Sequence, residues 1–493
     1  MTGVRGIIQW LIGAAMLVPA LGLVFLGPSS SGTAPPDRVV VTYWEKWTDF
    51  EGEAMRRLVA KFNDTVGRNK GIYVDYVVTT QIDIKTLIAT VAADAPDLAG
   101  LWPHNVSSFA AKAALQPLDA RAEAAGINAD TVIPVYYEQC RYHGSLYAVP
   151  LTPWSLALYY NKGLFREHAA ELAAAGCDAD RPPRTLAELA AYSRILHRRS
   201  PTGEIERLGF LPGIPETVGW YWLTWGLWCG GSFFDPASGT IRVDSEPYVR
   251  GYEWVRNYAL QFGQADVLRF ESSLANFNSP DNPFMIGRLA MVQQGPWFAN
   301  MIRQYAPEID YGVAPFPTED GSPIAYCGQD VLVIPRGARH ADEAWAFVEW
   351  LYTSEPITVP SGRPEPEPGY EYYWARTPSG RERRPMPPLR PVEWLCWIHY
   401  KNGPLVRPSP DFLATHPNPG VQIHDQLARS PLARTEPPVP NWTEVLEEFM
   451  AAYRDIWAGR SDVRQRLQKC QGRIDALVAQ ARGNQQRYGE VYP

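Results

Sequence analysis

The sequence predicts an α/β protein built as two lobes, on three observations. At 493 residues the chain exceeds what one hydrophobic core usually supports. From Val39 to Trp102, strand-like and helix-like apolar patterns alternate. The same texture resumes in the second half of the chain.

Val39 to Trp44 reads as a buried strand, and Glu53 to Asn63 as a helix with Met55, Leu58, Val59 and Phe62 on one face. Ile72 to Val78 is a second strand. Ile84, Leu87, Ile88 and Val91 mark the face of a second helix. Ala95 to Trp102 is a turn into a short third strand. This order predicts a parallel sheet covered by helices on both faces, with ligands at the carboxyl ends of its strands. Trp44 to Trp47 and Trp102 fall at two such ends, which makes them site candidates.

Further on, Arg288 to Val292 is strand-like and leads into Gln294-Gly295-Pro296-Trp297. Asp330 to Pro335 is a buried strand with its turn, and Ala341 to Leu351 is a helix rich in aromatic residues. Between Glu355 and Pro440 the composition shifts to Pro, Arg and Gly. Trp394, Leu395, Trp397, Ile398, Tyr400 and Phe412 are poor residues to leave in solvent, so this tract is expected to pack as an irregular segment. Arg376 to Pro388 is expected to be an exposed loop. Two amphipathic helices close the chain, one lined by Leu446, Phe449, Met450, Tyr453 and Trp457, the other by Val463, Leu467, Cys470, Ile474, Leu477 and Val478.

Composition narrows the function. Eighteen tryptophans recur in short clusters. An indole offers a flat face and an N–H donor, a combination that stacks on the C–H face of a sugar while neighbours bind the hydroxyls. The bland alternative for each is a core residue. Net charge is −7, from 46 basic and 53 acidic residues, without a basic run, so a nucleic-acid partner is excluded and a neutral or weakly polar ligand is favoured. The six cysteines form no CxxC, which argues against a zinc module. The eight histidines are scattered, and HExxH, GxSxG, P-loop and dinucleotide motifs are lacking; no metal or cofactor is expected.

The N-terminus reads as an export signal. Arg5 precedes an uncharged apolar stretch, residues 7–27, of about the 20 residues that span a bilayer. A Pro- and Ser-rich tether over 28–37 follows. The stretch is either an uncleaved anchor on the outer face of the cytoplasmic membrane or a cleaved signal that frees the body into the periplasm or medium.

Several segments together resemble the bacterial extracellular solute-binding proteins that serve sugar ABC transporters, the maltose/trehalose-binding kind. Val41 to Asn63, Ala95-Pro96-Asp97-Leu98 before Trp102, Leu146 to Phe165, Gly287 to Trp297, Tyr311 to Pro317 and the Pro-x-Trp ending match in order over about residues 38–482. The resemblance implies a periplasmic-binding-protein-like fold with discontinuous lobes, a hinge and an interlobe cleft. Lobe one would hold 38–152 and 314–352, and lobe two 153–313 and 353–493. It implies a sugar or oligosaccharide ligand, permease subunits as partners and a monomer. Carried over, Glu45, Lys46 and Trp47 would offer polar contacts from the first loop. Trp102 and Asn105 would offer a stacking ring and a polar group. Trp154 would face the cleft at the first hinge, Trp220 would stack from lobe two, and Trp297 would be the main platform, opposed by Trp102. Gly328 and Asp330 would supply backbone and carboxylate contacts. The chain departs from the family in lacking a lipid-attachment cysteine and in its long Pro-rich 356–391 segment.

Two other readings compete. A glycoside hydrolase would need two carboxylates flanking one bond, with Glu45, Asp97 and Asp330 as candidates. Asp97, following Pro96 in a turn, is better suited to bonding the backbone. A surface carbohydrate-binding or adhesion protein is the third reading.

Overall fold

A computed structural model of the chain describes residues 34–213, 220–235, 238–275, 277, 279–357, 372–377 and 380–491. The expected export segment, residues 1–27, lies outside the described residues. No helix among the described residues is long and apolar enough to cross a membrane.

Strand β1 (Val39–Glu45) and helix α1 (Asp49–Asp64) form where the apolar pattern places them, and Met55, Leu58 and Phe62 are fully buried. A short helix then ends on Gly71, whose φ of +68° suits glycine and reverses the chain into β2 (Ile72–Val78). Helix α2 (Ile82–Val91) is present, but its expected apolar face is only partly covered: Leu87 packs against the first core, while Ile84, Ile88 and Val91 are 54, 44 and 83% exposed and Ile82 and Thr86 are buried. A 3.6-residue period marks a stripe without saying what packs on it. Strand β3 (Leu98–Leu101), helices α3 (His104–Ala110) and α4 (Pro134–Gln139), and strand β4 (Val149–Ser155) complete the first pass.

The chain then builds a second sheet from β5 (Ala157–Asn161), β6 (Ile205–Phe210), β7 (Leu289–Gln294) and, after helix α5 (Phe298–Tyr305), β8 (Tyr311–Ala314). Its order is β8–β5–β7–β6, with Arg198–Arg199 paired on the outer edge. Strand β9 (Ala325–Val333) returns to the first sheet, followed by α6 (Ala341–Thr353), α7 (Pro391–Ile398), α8 (Val421–Arg429), β10 (Ala433–Arg434), α9 (Trp442–Trp457) and α10 (Val463–Val491).

The first sheet has the order β10–β9–β3–β1–β2, with β4 also paired to β9. Strands β1, β2 and β3 are parallel, as expected, but β9 runs antiparallel to both β3 and β4. The sheet is therefore mixed: β9, with the two-residue β10 parallel to it, runs opposite to β1, β2, β3 and β4.

Each sheet has its own core. The division of the C-terminal half differs from the expected one. Residues from Met386 to Ala428, including Trp394, Leu395 and Trp397, belong to the first core, and only the stretch from Val439 to Ile474 joins the second. Helix α7 fills the space between α1, α6 and β4, so the chain beyond residue 353 is shared by both lobes. The expected loop at 376–388 includes most of an antiparallel hairpin, Tyr372–Thr377 with Gly380–Pro385. The tryptophan surplus is largely core. Trp225, Trp228, Trp394 and Trp442 are almost fully buried, and Trp225 stacks on Trp254 with centroids 4.9 Å apart. All six cysteines are free thiols.

Candidate functional site

The crossing between lobes is made by the β4/β9 ladder, in which Thr152 pairs with Asp330 and Trp154 with Gly328. Side chains alternate along a strand, so Thr152 and Trp154 share a face with Asp330, Gly328 and Tyr326. The opposite face is taken up by structure: Gln329 Nε2 donates to the Tyr136 carbonyl of α4. Ser155 Oγ, at the end of β4, and Tyr159 Oη, in β5, each lie 3.1 Å from a ring nitrogen of His424, which ties α8 to both sheets.

At the lobe-one end of the shared face is a buried ionic cluster. Asp330 Oδ2 accepts from Thr152 Oγ1 at 2.6 Å and from Lys401 Nζ at 2.9 Å, while Oδ1 lies 3.0 Å from Lys46 Nζ. Lys46 Nζ is also 3.2 Å from Glu45 Oε1, and Lys401 Nζ is 3.7 Å from Glu51. Burial alone would raise the Asp330 pKa, but Lys401 and Lys46 overcome it and hold the carboxylate well below its usual range. Burial likewise opposes the charge on Lys401, and Asp330 and Glu51 push its pKa up in spite of that. Glu45 is fully buried; Oε2 accepts from Tyr43 Oη at 2.7 Å, and burial raises its pKa against the pull of Lys46. A Cβ on Gly100 would stand 1.8 Å from the Glu45 carboxylate, so that glycine makes the room for it. Trp47 packs edge-on against His399 at 4.9 Å, and both Lys46 and Lys401 sit over its ring.

The other end is aromatic. Trp154 meets Trp297 edge-to-face at 5.9 Å and Tyr326 at 6.0 Å. Trp154 lies flat over Gly328, where a Cβ would come within 2.2 Å of the ring. Gly295 serves Trp297 in the same way, at 2.1 Å. Trp297 is half-buried, and Trp154 is 7% exposed.

Trp102 is 37% exposed at the end of β3, parallel to the His104 ring at 6.0 Å and with Lys46 Nζ 5.2 Å from its centroid. Asn105 points inward and accepts from the Trp102 backbone N–H at 3.2 Å, which makes it a support for that loop. Trp220 opens a short helix, Trp220–Leu223, and its side chain lies outside the described residues. Asp97 accepts from the backbone N–H groups of Thr42 and His340, each at 2.9 Å, the turn-bonding role anticipated for it.

The structure thus gathers Glu45, Lys46, Trp47, Trp102 and Asp330 at one end and Trp154, Trp297 and Gly328 at the other. Sequence reasoning missed Lys401 and Thr152. Lys401 closes the run Trp397-Ile398-His399-Tyr400, and a lone charge after four large buried residues is the one signal that marked it. A groove of about 700 Å³ lies elsewhere, between α4, Phe233–Phe234 and Arg429–Arg434, and contains none of the expected site residues.

The sequence profile described as bacterial extracellular solute-binding protein matches residues 50–356. The chain belongs to that family. A maltotriose-binding protein of Pyrococcus abyssi is 25% identical over 285 residues, 55% of this chain and 53% of that protein, so the match spans about half the relative's length. A periplasmic sn-glycerol-3-phosphate-binding protein, UgpB of Salmonella typhimurium, is 26% identical over 305 residues, 60% of this chain and 64% of that protein. Among solved structures, CpMnBP1 with mannobiose bound superposes with a TM-score of 0.68 at 21% identity, covering 89% of this chain and all of the other. MalE, the sugar-binding protein of Xanthomonas citri, gives 0.68 at 20% identity, covering 90% and 98%. These likenesses establish the two-lobed α/β fold of the family. The family consists of binding proteins, which favours solute binding over the hydrolase reading.

Proposed function

We propose that the chain is the extracytoplasmic binding component of an ABC importer, taking a sugar or oligosaccharide between its lobes and delivering it to membrane permease subunits. One observation carries this reading: a single sheet face crosses from lobe to lobe with an ionic cluster at one end and an aromatic pair at the other. Sugars have apolar C–H faces and polar rims, and this face offers a partner for each. Two relatives with sugars in their printed names support the ligand class.

In this reading Trp297 and Trp154 form the stacking surface, with Trp102 at the lobe-one rim and Trp220 a further candidate from lobe two. Lys46 and Lys401 present N–H donors that Asp330 orients. Glu45 acts through Lys46, Asn105 acts through Trp102, Trp47 backs both lysines, and Gly328 gives Trp154 its seat. The body works as a monomer outside the cytoplasm, with residues 7–27 as anchor or cleaved signal; the mass of the native N-terminus distinguishes the two.

Maltotriose and mannobiose should each be titrated into the full chain, followed by melting temperature and by recovery of the sugar. A ligand at a hundred times its Kd adds about 2.7 kcal/mol of stability. The reading requires a raised melting temperature with at least one sugar and recovery of that sugar intact. No shift with either, or turnover lost on mutating Glu45 or Asp330, contradicts it.

A further inference from the structure

Glu436 lies between β10 and α9, where the chain passes from one core to the other. It is 8% exposed, and its Oε2 has no hydrogen-bond partner among the described residues. Strand β10 runs parallel to β9 with Arg434 opposite Tyr326, so the chain then carries Glu436 along the edge that bears the aromatic end of the shared face. Three elements face it. From α3, His104 Nδ1 stands 3.9 Å from Oε2, and that ring lies parallel to Trp102. From β9, the Tyr326 hydroxyl is buried without a partner among the described residues and feels the Glu436 charge. From α9, Trp442 Nε1 reaches the carboxyl closely enough to stabilise its charge, yet makes no hydrogen bond of normal geometry. Asp83 and Lys46 act on His104 in turn. No Lys or Arg among the described residues forms an ion pair with Glu436. Lobe one meets the same segment at Ser107 Oγ, which donates to the Val439 carbonyl at 3.0 Å.

We propose that Glu436, Tyr326 and Trp442 form a second polar subsite of the cleft that takes a hydroxyl of a neutral sugar, Glu436 accepting from it while Tyr326 or Trp442 donates to it. This rests on the reading that the chain binds a sugar between its lobes, and it narrows the ligand's charge. Buried polar atoms without partners are costly, and here they comprise one acceptor and two donors. A hydroxyl both gives and accepts a hydrogen bond, so it satisfies both kinds. A phosphate only accepts, and it would bring negative charge beside a buried carboxylate that has no paired cation. An ammonium only donates and would leave the Trp442 N–H unmet. sn-Glycerol 3-phosphate also carries hydroxyls, but it is so small that seating one of them here would hold its phosphate dianion close to the uncompensated carboxylate, so the subsite favours an uncharged oligosaccharide over it.

A proton signature follows. Burial pushes the Glu436 pKa up to about 7, with Trp442 opposing, and burial pushes His104 down to about 4, so His104 is no counter-ion at neutral pH. A hydroxyl donating to the carboxylate favours its charged form. Its pKa then falls, and sugar binding near pH 7 releases protons.

The test is calorimetric titration of the full chain, in mild detergent, with maltotriose and with sn-glycerol 3-phosphate at pH 7, in two buffers of different ionisation enthalpy. Wild type should bind maltotriose with proton release and bind sn-glycerol 3-phosphate at least about tenfold more weakly. Glu436→Gln should weaken maltotriose binding by about tenfold and abolish the proton release. Tyr326→Phe, which removes the hydroxyl and keeps the ring, and Trp442→Phe, which removes the N–H and exchanges the indole for a smaller phenyl, should each weaken it severalfold, with folding checked by circular dichroism. If Glu436→Gln binds with unchanged affinity and unchanged proton release, the subsite is wrong and the sugar reading stands. Preference for sn-glycerol 3-phosphate also overturns the subsite. If wild type binds no neutral sugar, both fall. Should Glu436→Gln fail to fold, the two Phe variants decide, and wild-type affinity in both overturns the proposal.

Discussion

Asp330, on β9, and Glu436, just past the neighbouring β10, are both buried carboxylates, and their surroundings are opposite. Around Asp330 each lysine has two carboxylates within 3.7 Å, and Thr152 adds a hydroxyl. Around Glu436, among the described residues, there is no paired cation: His104 is a neutral imidazole at 3.9 Å, and the Trp442 indole N–H makes no hydrogen bond of normal geometry. A network whose members satisfy one another is set before any ligand arrives, so it can orient Lys46 and Lys401 without reorganising. A buried carboxyl oxygen left without a hydrogen bond gains one only from what it binds. The first end thus supplies shape and the second supplies recognition.

Asp330→Ala should have the largest effect, since it removes the counter-charge of two buried lysines at once. A loss of about 3–5 kcal/mol in denaturant unfolding is expected. The same carboxylate sets an acid limit. Its folded pKa lies below the unfolded value, so its stabilising contribution is present above the unfolded pKa and is lost as pH falls through the carboxylate range. Asp330→Asn should flatten that part of the melting profile; an unchanged acid limb would show that the cluster is not the source.

Gly328→Ala would sharpen the contrast from the aromatic side. The added methyl meets the Trp154 ring, and overpacking of this kind costs about 1–3 kcal/mol. Its mark should be weakened sugar binding together with a lowered melting temperature. Trp297→Ala should act differently, because the ring is only half-buried. Affinity should fall by about 1–3 kcal/mol, by analogy with stacking of bases on aromatic rings, with a smaller change in melting. A large melting loss at unchanged affinity would make Trp297 a core residue.

The smallest effect is expected at the unsatisfied end without ligand. Glu436 has a folded pKa raised from its ordinary value to about 7. Its favourable contribution is present below the unfolded pKa and is lost as pH rises through about 7. The wild-type melting temperature should decline from pH 5 to pH 8 relative to Glu436→Gln, which removes the titrating proton. Parallel profiles would mean that Glu436 has a partner in solution.

The pattern of what was legible follows from the range of each signal. Val39–Trp44 and Glu53–Asn63 declare themselves because apolar periodicity is local. The face of α2 was misassigned in part for the same reason: Ile84, Ile88 and Val91 form a true stripe, but only tertiary structure decides whether anything covers it. The ownership of Met386–Ala428 by the first core was illegible, since a Pro-rich tract of short helices carries no long period. At the site, Trp102 stood out as an aromatic at a strand end, while Trp154, Trp297 and Asp330 were reached through the family resemblance. Lys401, Glu436 and Tyr326 were legible in neither way, because a single polar residue becomes informative only once its neighbours in space are known.

The most direct test of the account is hydrogen–deuterium exchange of the full chain with and without saturating maltotriose. Protection is predicted in peptides from both lobes, over residues 43–47 and 400–402 at the ionic end and 294–297 and 436–442 at the aromatic end, with no change around Pro134–Glu138 in the separate groove. Protection confined to one lobe, or centred on that groove, would contradict a ligand seated across the β4/β9 face.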